Sequence, residues 1–212
     1  MSPQRQTTDN KQEGEMGKWA RYYDFLMFFM TLGQEKALRR MTVELAGLKP
    51  GEKVLEIGSG TGTLTLAAKR KVGATGEADG IDVAPEMVAV ATRKATRRRV
   101  DTKFQVGTMQ NLPFEAARFD AALCSFMIFH MPEDVRRKGF AEIHRVLKPG
   151  GRLLILDFGW PGKSAQQYHV RTLVPVLKEF SFSDVELAKA DFMTWLLGKK
   201  DMGLWYVRGV AT

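Results

Sequence analysis

Three glycines at alternate positions, Gly58, Gly60 and Gly62, follow the apolar run Val54-Leu55-Glu56-Ile57 and precede Thr63-Leu64-Thr65-Leu66-Ala67-Ala68-Lys69. An apolar run with Pro50-Gly51 before it and glycines behind it predicts a buried strand that turns sharply into a helix. Glycine is needed where the backbone takes positive φ or where another group lies against the main chain, so this bend can carry a ligand at a helix N-terminus. Glu56 stands just before the first glycine, and Ala78-Asp79-Gly80-Ile81-Asp82 predicts a second strand whose closing carboxylate suits a ribose diol. The G-x-G-x-G spacing differs from the dinucleotide fingerprint G-x-G-x-x-G, and no Lys or Arg for a phosphate lies inside the loop. The pattern therefore predicts a nucleoside ligand with a ribose, no phosphate and a cationic tail.

The elements that must position this bend follow in alternation, strand then helix, as in an open α/β sheet. Lys103-Phe104-Gln105-Val106 predicts a third strand, Phe119 to Leu123 a fourth, and Arg152 to Phe158, after the turn Lys148-Pro149-Gly150-Gly151, a fifth. Ligands in such sheets lie off the carboxyl ends of the strands. Ser125, Phe126 and His130 after the fourth strand, and Asp157 at the end of the fifth, are thus placed at the reaction rim. For His130 a satisfied histidine at a helix start is the competing reading, and for Asp157 a cap or ion pair. His144, inside an amphipathic stretch, reads as structural, and Cys124 as a buried small side chain. Asp184-Val185-Glu186-Leu187-Ala188 and Leu204 to Val210 alternate as two strands of an antiparallel edge.

The chain has 212 residues, 44% hydrophobic and 26% charged, enough for one domain with a full core. No apolar run approaches the roughly 20 residues that span a bilayer, the polar N-terminus lacks the apolar centre of a signal peptide, and a cytoplasmic protein is expected. The single cysteine excludes an internal disulfide and a multi-cysteine metal site, and no metal is expected. The net charge of +8 favours an anionic partner, with Arg93, Lys94, Arg97, Arg98 and Arg99 supplying much of it unless they are simply a solvated helix end. Residues 1–16 form a polar tail and 17–50 helices ahead of the main domain, 51–212. Lys18 to Met30 is aromatic and apolar on almost every face, which leaves three readings open: a lid, a core helix, or an interfacial helix on an anionic membrane. Gln34 to Leu48 reads as a structural helix.

The segments VLEIGSGTG, GIDVAPEMV, LPFEAARFDAALCSFMIFHM and RVLKPGGRLLILDF, in this order, resemble the Rossmann-like S-adenosylmethionine-dependent methyltransferases. By pattern the chain is similar to the subgroup of ubiquinone/menaquinone C-methyltransferases and soluble phospholipid N-methyltransferases. The resemblance, over about residues 40–160, implies a doubly wound, mostly parallel seven-stranded sheet with an antiparallel C-terminal edge strand and N-terminal lid helices. It implies S-adenosyl-L-methionine as cofactor and S-adenosyl-L-homocysteine as product. It places the cofactor against Glu56, Gly58, Ser59, Gly60, Thr61, Gly62, Asp82, Val83, Met87, Ser125 and Phe126, with Met109 as apolar cover. Thr108 stands where the family usually has an Asp contacting the adenine amino group, so its hydroxyl or the Gln110 amide is expected to substitute. Tyr23 of the Tyr23-Asp24 pair corresponds to a tyrosine that closes over the site, and Tyr23, His130 and Asp157 are the candidates for aiding the acceptor.

The acceptor expected first is a small or lipid-linked molecule, such as a phospholipid amine methylated at a membrane surface. The alternatives are a quinone-type ring precursor methylated at carbon and a cofactor-binding partner subunit without turnover. Nucleic acid is not expected, because Cys124-Ser125-Phe126-Met127 lacks the Asn/Asp-Pro-Pro-aromatic motif of nucleic-acid amino-methyltransferases.

Overall fold

The computed structural model describes residues 34–128, 131–159, 172–190 and 203–212. In chain order it contains α1 (Glu35–Leu45), β1 (Lys53–Ile57), α2 (Thr63–Val72), β2 (Glu77–Asp82), α3 (Pro85–Arg98) and β3 (Lys103–Val106). Next come β4 (Phe119–Ser125), α4 (Glu133–Val146), β5 (Leu147–Gly159), α5 (Leu173–Glu179), β6 (Phe182–Ala190) and β7 (Gly203–Ala211).

The seven strands form one sheet in the order β3-β2-β1-β4-β5-β7-β6. Strands β1 to β5 pair in parallel, as the strand–helix alternation requires, and β7 runs antiparallel to both β5 and β6. The two C-terminal strands form the expected antiparallel edge, in which β6 is outermost and the inner strand is β7. Its Leu204 and Val207 are fully buried, whereas β6 is mostly half-buried, so the more apolar strand takes the inner position.

The order reverses between β1 and β4, which opens the crevice at the carboxyl ends of these two strands. Alternation along each strand sends side chains to opposite faces. On one face Leu55, Ile57, Cys124, Leu153 and Ile155 pack with Phe140 and Ile143 of α4 and Leu173 and Leu177 of α5. On the other Val54, Leu123 and Leu154 pack with Leu38 and Val43 of α1 and Leu64, Ala68 and Val72 of α2. Helix α1 thus shares a single cluster with the sheet, and a domain boundary at residue 51 cuts through that cluster. Among the described residues no helix is long and apolar enough to cross a membrane.

Candidate active site

The first strand delivers the chain into Gly58, Gly60 and Gly62 with φ of 71°, 51° and 77°, all left-handed. Ser59 donates its N–H to Ile81 O at 2.8 Å, and Gly62 donates to Ser59 O at 2.9 Å, which ties the bend to β2 and closes it on itself. The glycines serve different ends. A Cβ on Gly62 would fall 2.6 Å from Phe104 Cζ and 2.8 Å from Ala91 Cβ, so this residue lets α2 pack against α3 and β3. A Cβ on Gly58 would lie 2.9 Å from Met127 Sδ, which places Met127 of the loop after β4 over the start of the bend. Thr61 and Ser59 are buried, and the Ser59 hydroxyl has no hydrogen-bond partner. A buried hydroxyl without a partner is uncommon and calls for a ligand or water to complete it.

Asp82 closes β2 and is 7% exposed. Its Oδ2 accepts the Gly60 N–H at 2.7 Å and its Oδ1 accepts the Ala84 N–H at 3.0 Å. Burial raises its pKa above the ordinary carboxylate value, and N–H donors from Ala84, Gly60 and Val83 hold the rise in check. The cap and the ligand reading of this carboxylate are compatible, because each oxygen accepts more than one hydrogen bond and keeps capacity for a diol.

Glu56 points from β1 to the α1–α2 face, and burial raises its pKa to about 7. The Thr65 hydroxyl donates a short hydrogen bond to its Oε2, and the nearby Arg39 guanidinium favours the charged form. Arg39 is the only buried Lys or Arg among the described residues. Its Nε donates to Thr63 Oγ1 at 3.1 Å, its Nη1 to Ser125 Oγ at 3.4 Å and its Nη2 to Glu35 Oε1 at 3.4 Å. Thr63 in turn donates to Glu35 Oε1 at 2.8 Å. This seam joins α1, the N-terminus of α2 and the end of β4 at the mouth of the crevice.

On the far side of the crevice, Phe126 takes φ of 59°, which a bulky residue rarely adopts. The turn sends Phe126 to the α1–α2 cluster, although strict alternation after Ser125 would send it to the opposite face. Its N–H donates to Leu156 O at 2.9 Å, which locks the end of β4 to β5. Asp157 follows Leu156, the register partner of Ser125, and is 3% exposed. Cys124, also at this end, is buried, and burial together with Glu56 and Asp157 pushes its thiol far up, so it stays protonated.

Against known proteins, residues 54–151 match the family model described as a methyltransferase domain. A demethylmenaquinone methyltransferase of Thermus thermophilus is 36% identical over 143 residues, covering 68% of this chain and 64% of that protein. A 2-phytyl-1,4-naphtoquinone methyltransferase of Nostoc is 30% identical over 176 residues, covering 80% of this chain and 76% of the relative. This chain belongs to the S-adenosylmethionine-dependent methyltransferases. Its backbone superposes on a SAM dependent methyltransferase from Aquifex aeolicus with a TM-score of 0.70 at 20% identity, over 82% of this chain and 89% of that one.

The residues present fit the cofactor of this methyltransferase family. Gly58 and Gly60 are partly exposed in the bend, Ser59 carries an unmatched buried hydroxyl, and Asp82 retains acceptor capacity beside them. Met87 and Ala84 make a small buried apolar pair next to Asp82, with Val83 half-buried between them. Thr108 is exposed and bridges Asn111, Gln110 is half-buried, and Met109 is 1% exposed. The Met109 side chain fills a notch in α4, where a Cβ on Gly139 would lie 2.0 Å from Met109 Cε, so it belongs to the core and does not cover the crevice. Glu56 likewise contacts Thr65 and lies under α2. Tyr23, His130 and the segments 160–171 and 191–202 lie outside the described residues.

Two residues of the seam, Arg39 and Thr63, carry no motif. The only sequence signal is spacing: Glu35, Arg39 and Thr42 share a helix face with Leu38, so polar groups interrupt an otherwise apolar stripe. His144 is structural as expected, with Nε2 3.1 Å from Thr212 O and its ring edge-on to Phe182.

Proposed function

We propose that this protein transfers a methyl group from S-adenosylmethionine to a ring carbon of a quinone-type precursor. The observation that carries this reading is the likeness to two relatives that are both named for quinone acceptors. The chain spans about two thirds of the length of the Thermus relative, and the acceptor is argued from likeness and chemistry together.

The bound cofactor would supply an electrophilic methyl on a sulfonium, and the protein's part is positioning, exclusion of water and handling of one proton. Asp82 and the bend would hold the nucleoside, while Phe126 and Met127 bound the side of the crevice where a flat ring would rest. Methylation at a ring carbon forms one carbon–carbon bond and releases the carbon's hydrogen as a proton, so a base is required. Asp157 near the end of β5 and His130 in the segment after β4 are the groups we assign to it. The protonated, enclosed thiol of Cys124 removes it as a nucleophile, which favours direct transfer over a covalent enzyme intermediate.

A phospholipid amine is the second reading, and one surface supports a lipid setting for either acceptor. A groove of about 1100 Å³ bounded by α1, α2 and the end of α3 is lined by Lys36, Arg40, Arg70, Lys71 and Arg98 against two acids, Glu35 and Glu44, and begins beside Arg39 and Thr63. The aromatic stretch Trp19 to Met30 directly precedes α1 in sequence. Basic residues near an anionic bilayer contribute about 1 kcal/mol each, so we place the working protein on such a surface.

Incubation of the full chain with isotope-labelled cofactor, testing a reduced demethylnaphthoquinone in vesicles against phosphatidylethanolamine vesicles, decides between the acceptors. Label on the ring carbon is expected. Label on the headgroup nitrogen would overturn the proposal in favour of the amine reading.

A further inference from the structure

The cofactor's amino-acid tail ends in a carboxylate, and the Gly58–Gly62 loop contains no cation to meet it. A carboxylate drawn into a crevice is stable only if a positive group compensates its lost hydration. The buried polar groups of the described residues include the acids Glu56, Asp79, Asp82 and Asp157 but only one base, Arg39. That base sits where the tail must end: it reaches Thr63 at the first turn of α2 and Ser125 at the end of β4, the two sides of the crevice. Its contacts with Ser125 and Glu35 are both 3.4 Å, at the outer limit of a hydrogen bond, so two guanidinium nitrogens are weakly held and open to a better acceptor.

From this the geometry points to Arg39 as the residue that anchors the carboxylate of the cofactor's methionine portion, exchanging its long contact with Glu35 for a charge-assisted bond to the ligand. The inference rests on the cofactor assignment and adds a binding residue from α1, a helix outside the glycine-loop motif. Glu35 keeps its bond from Thr63 when Arg39 turns to the ligand, so the exchange leaves no carboxylate unpartnered. The planar fork of Arg39 suits a carboxylate better than a lysine ammonium would.

Titration calorimetry with two ligands tests this: S-adenosylhomocysteine, which has the amino-acid tail, and 5′-methylthioadenosine, which shares the adenosyl thioether but lacks it. For Arg39→Ala, S-adenosylhomocysteine should bind about 10- to 100-fold more weakly, while methylthioadenosine should stay within about twofold of the wild type. Arg39→Lys, which keeps the charge, should recover part of the loss and guards against a folding defect in the alanine variant. Equal weakening of both ligands in both variants would mean that Arg39 only supports the fold, and an unchanged affinity for S-adenosylhomocysteine would also overturn the assignment. Wild-type protein that binds neither ligand would instead remove the cofactor reading on which the inference stands.

Discussion

The two faces of the sheet are built differently. The face under α4 and α5 is apolar throughout its centre, with Phe140, Ile143, Ile155 and Leu177 fully buried. The face under α1 and α2 has a comparable apolar floor, but Glu35, Arg39, Glu56, Thr65 and Ser125 run through its upper end as a connected or neighbouring polar seam. A seam of buried charge is costly unless every member is matched, and here the match is loose at Arg39 and incomplete at Ser59. The first face holds the molecule together, and the second gives up some stability for a site.

The largest effect is expected on the apolar face. Phe140→Ala removes a fully buried ring and should lower stability by about 4 kcal/mol, read from denaturant unfolding, with the ligand affinity of the remaining folded protein unchanged. If affinity fell with stability, the two faces would not be separable. On the polar face Gly62→Ala adds a Cβ 2.6 Å from Phe104 at positive φ and should cost about 3 kcal/mol through strain and overpacking. Unlike Phe140→Ala, it should also weaken S-adenosylhomocysteine binding, because the bend itself shifts.

Glu56 sharpens the contrast through pH. Its folded pKa of about 7 lies above the value of 4.5 for a free glutamate, so between these limits the folded state keeps a proton that the unfolded state has lost. Stability from this group is therefore full below about pH 4.5 and declines as pH rises to about 7. Glu56→Gln should match the wild type near pH 4 and exceed its stability by roughly 2–3 kcal/mol near pH 8.5, measured by chemical denaturation at both pH values. A variant less stable than wild type at pH 8.5 would show that Arg39 holds Glu56 ionised. The smallest expected change in stability, about 1–2 kcal/mol, is for Asp82→Asn, which turns one of two acceptors into a donor facing an N–H. Its effect on cofactor affinity should be larger, tenfold or more, and a calorimetric affinity equal to wild type would contradict the role of Asp82.

The parts of the molecule that write themselves along adjacent residues were legible in the sequence. The apolar run into Gly58, the carboxylate closing β2, the limits of β3 and the start of β4 all follow from local pattern, because strand, turn and helix each leave a local mark. Arg39 left none. Its partners Thr63 and Ser125 lie 24 and 86 residues away, and only the fold brings three elements to one point. Met109 was misplaced for a related reason: its apolar character suits either the crevice or the core, and the notch at Gly139 that draws it inward is 30 residues downstream in another helix. The position of β7 inside β6 depends on which strand is the more apolar across its whole length, and the alternating pattern common to both does not rank them.

The central claim is that the bend between β1 and α2, the carboxylate of Asp82 and the end of β4 form one nucleoside site at the reversal of strand order. A crystal structure of the full chain grown with S-adenosylhomocysteine tests it most directly. The account predicts the ribose hydroxyls on Asp82 and the thioether chain lying along Gly58–Gly62 towards Ser125. Ligand density at any other surface, or an empty crevice at saturating ligand, would contradict it.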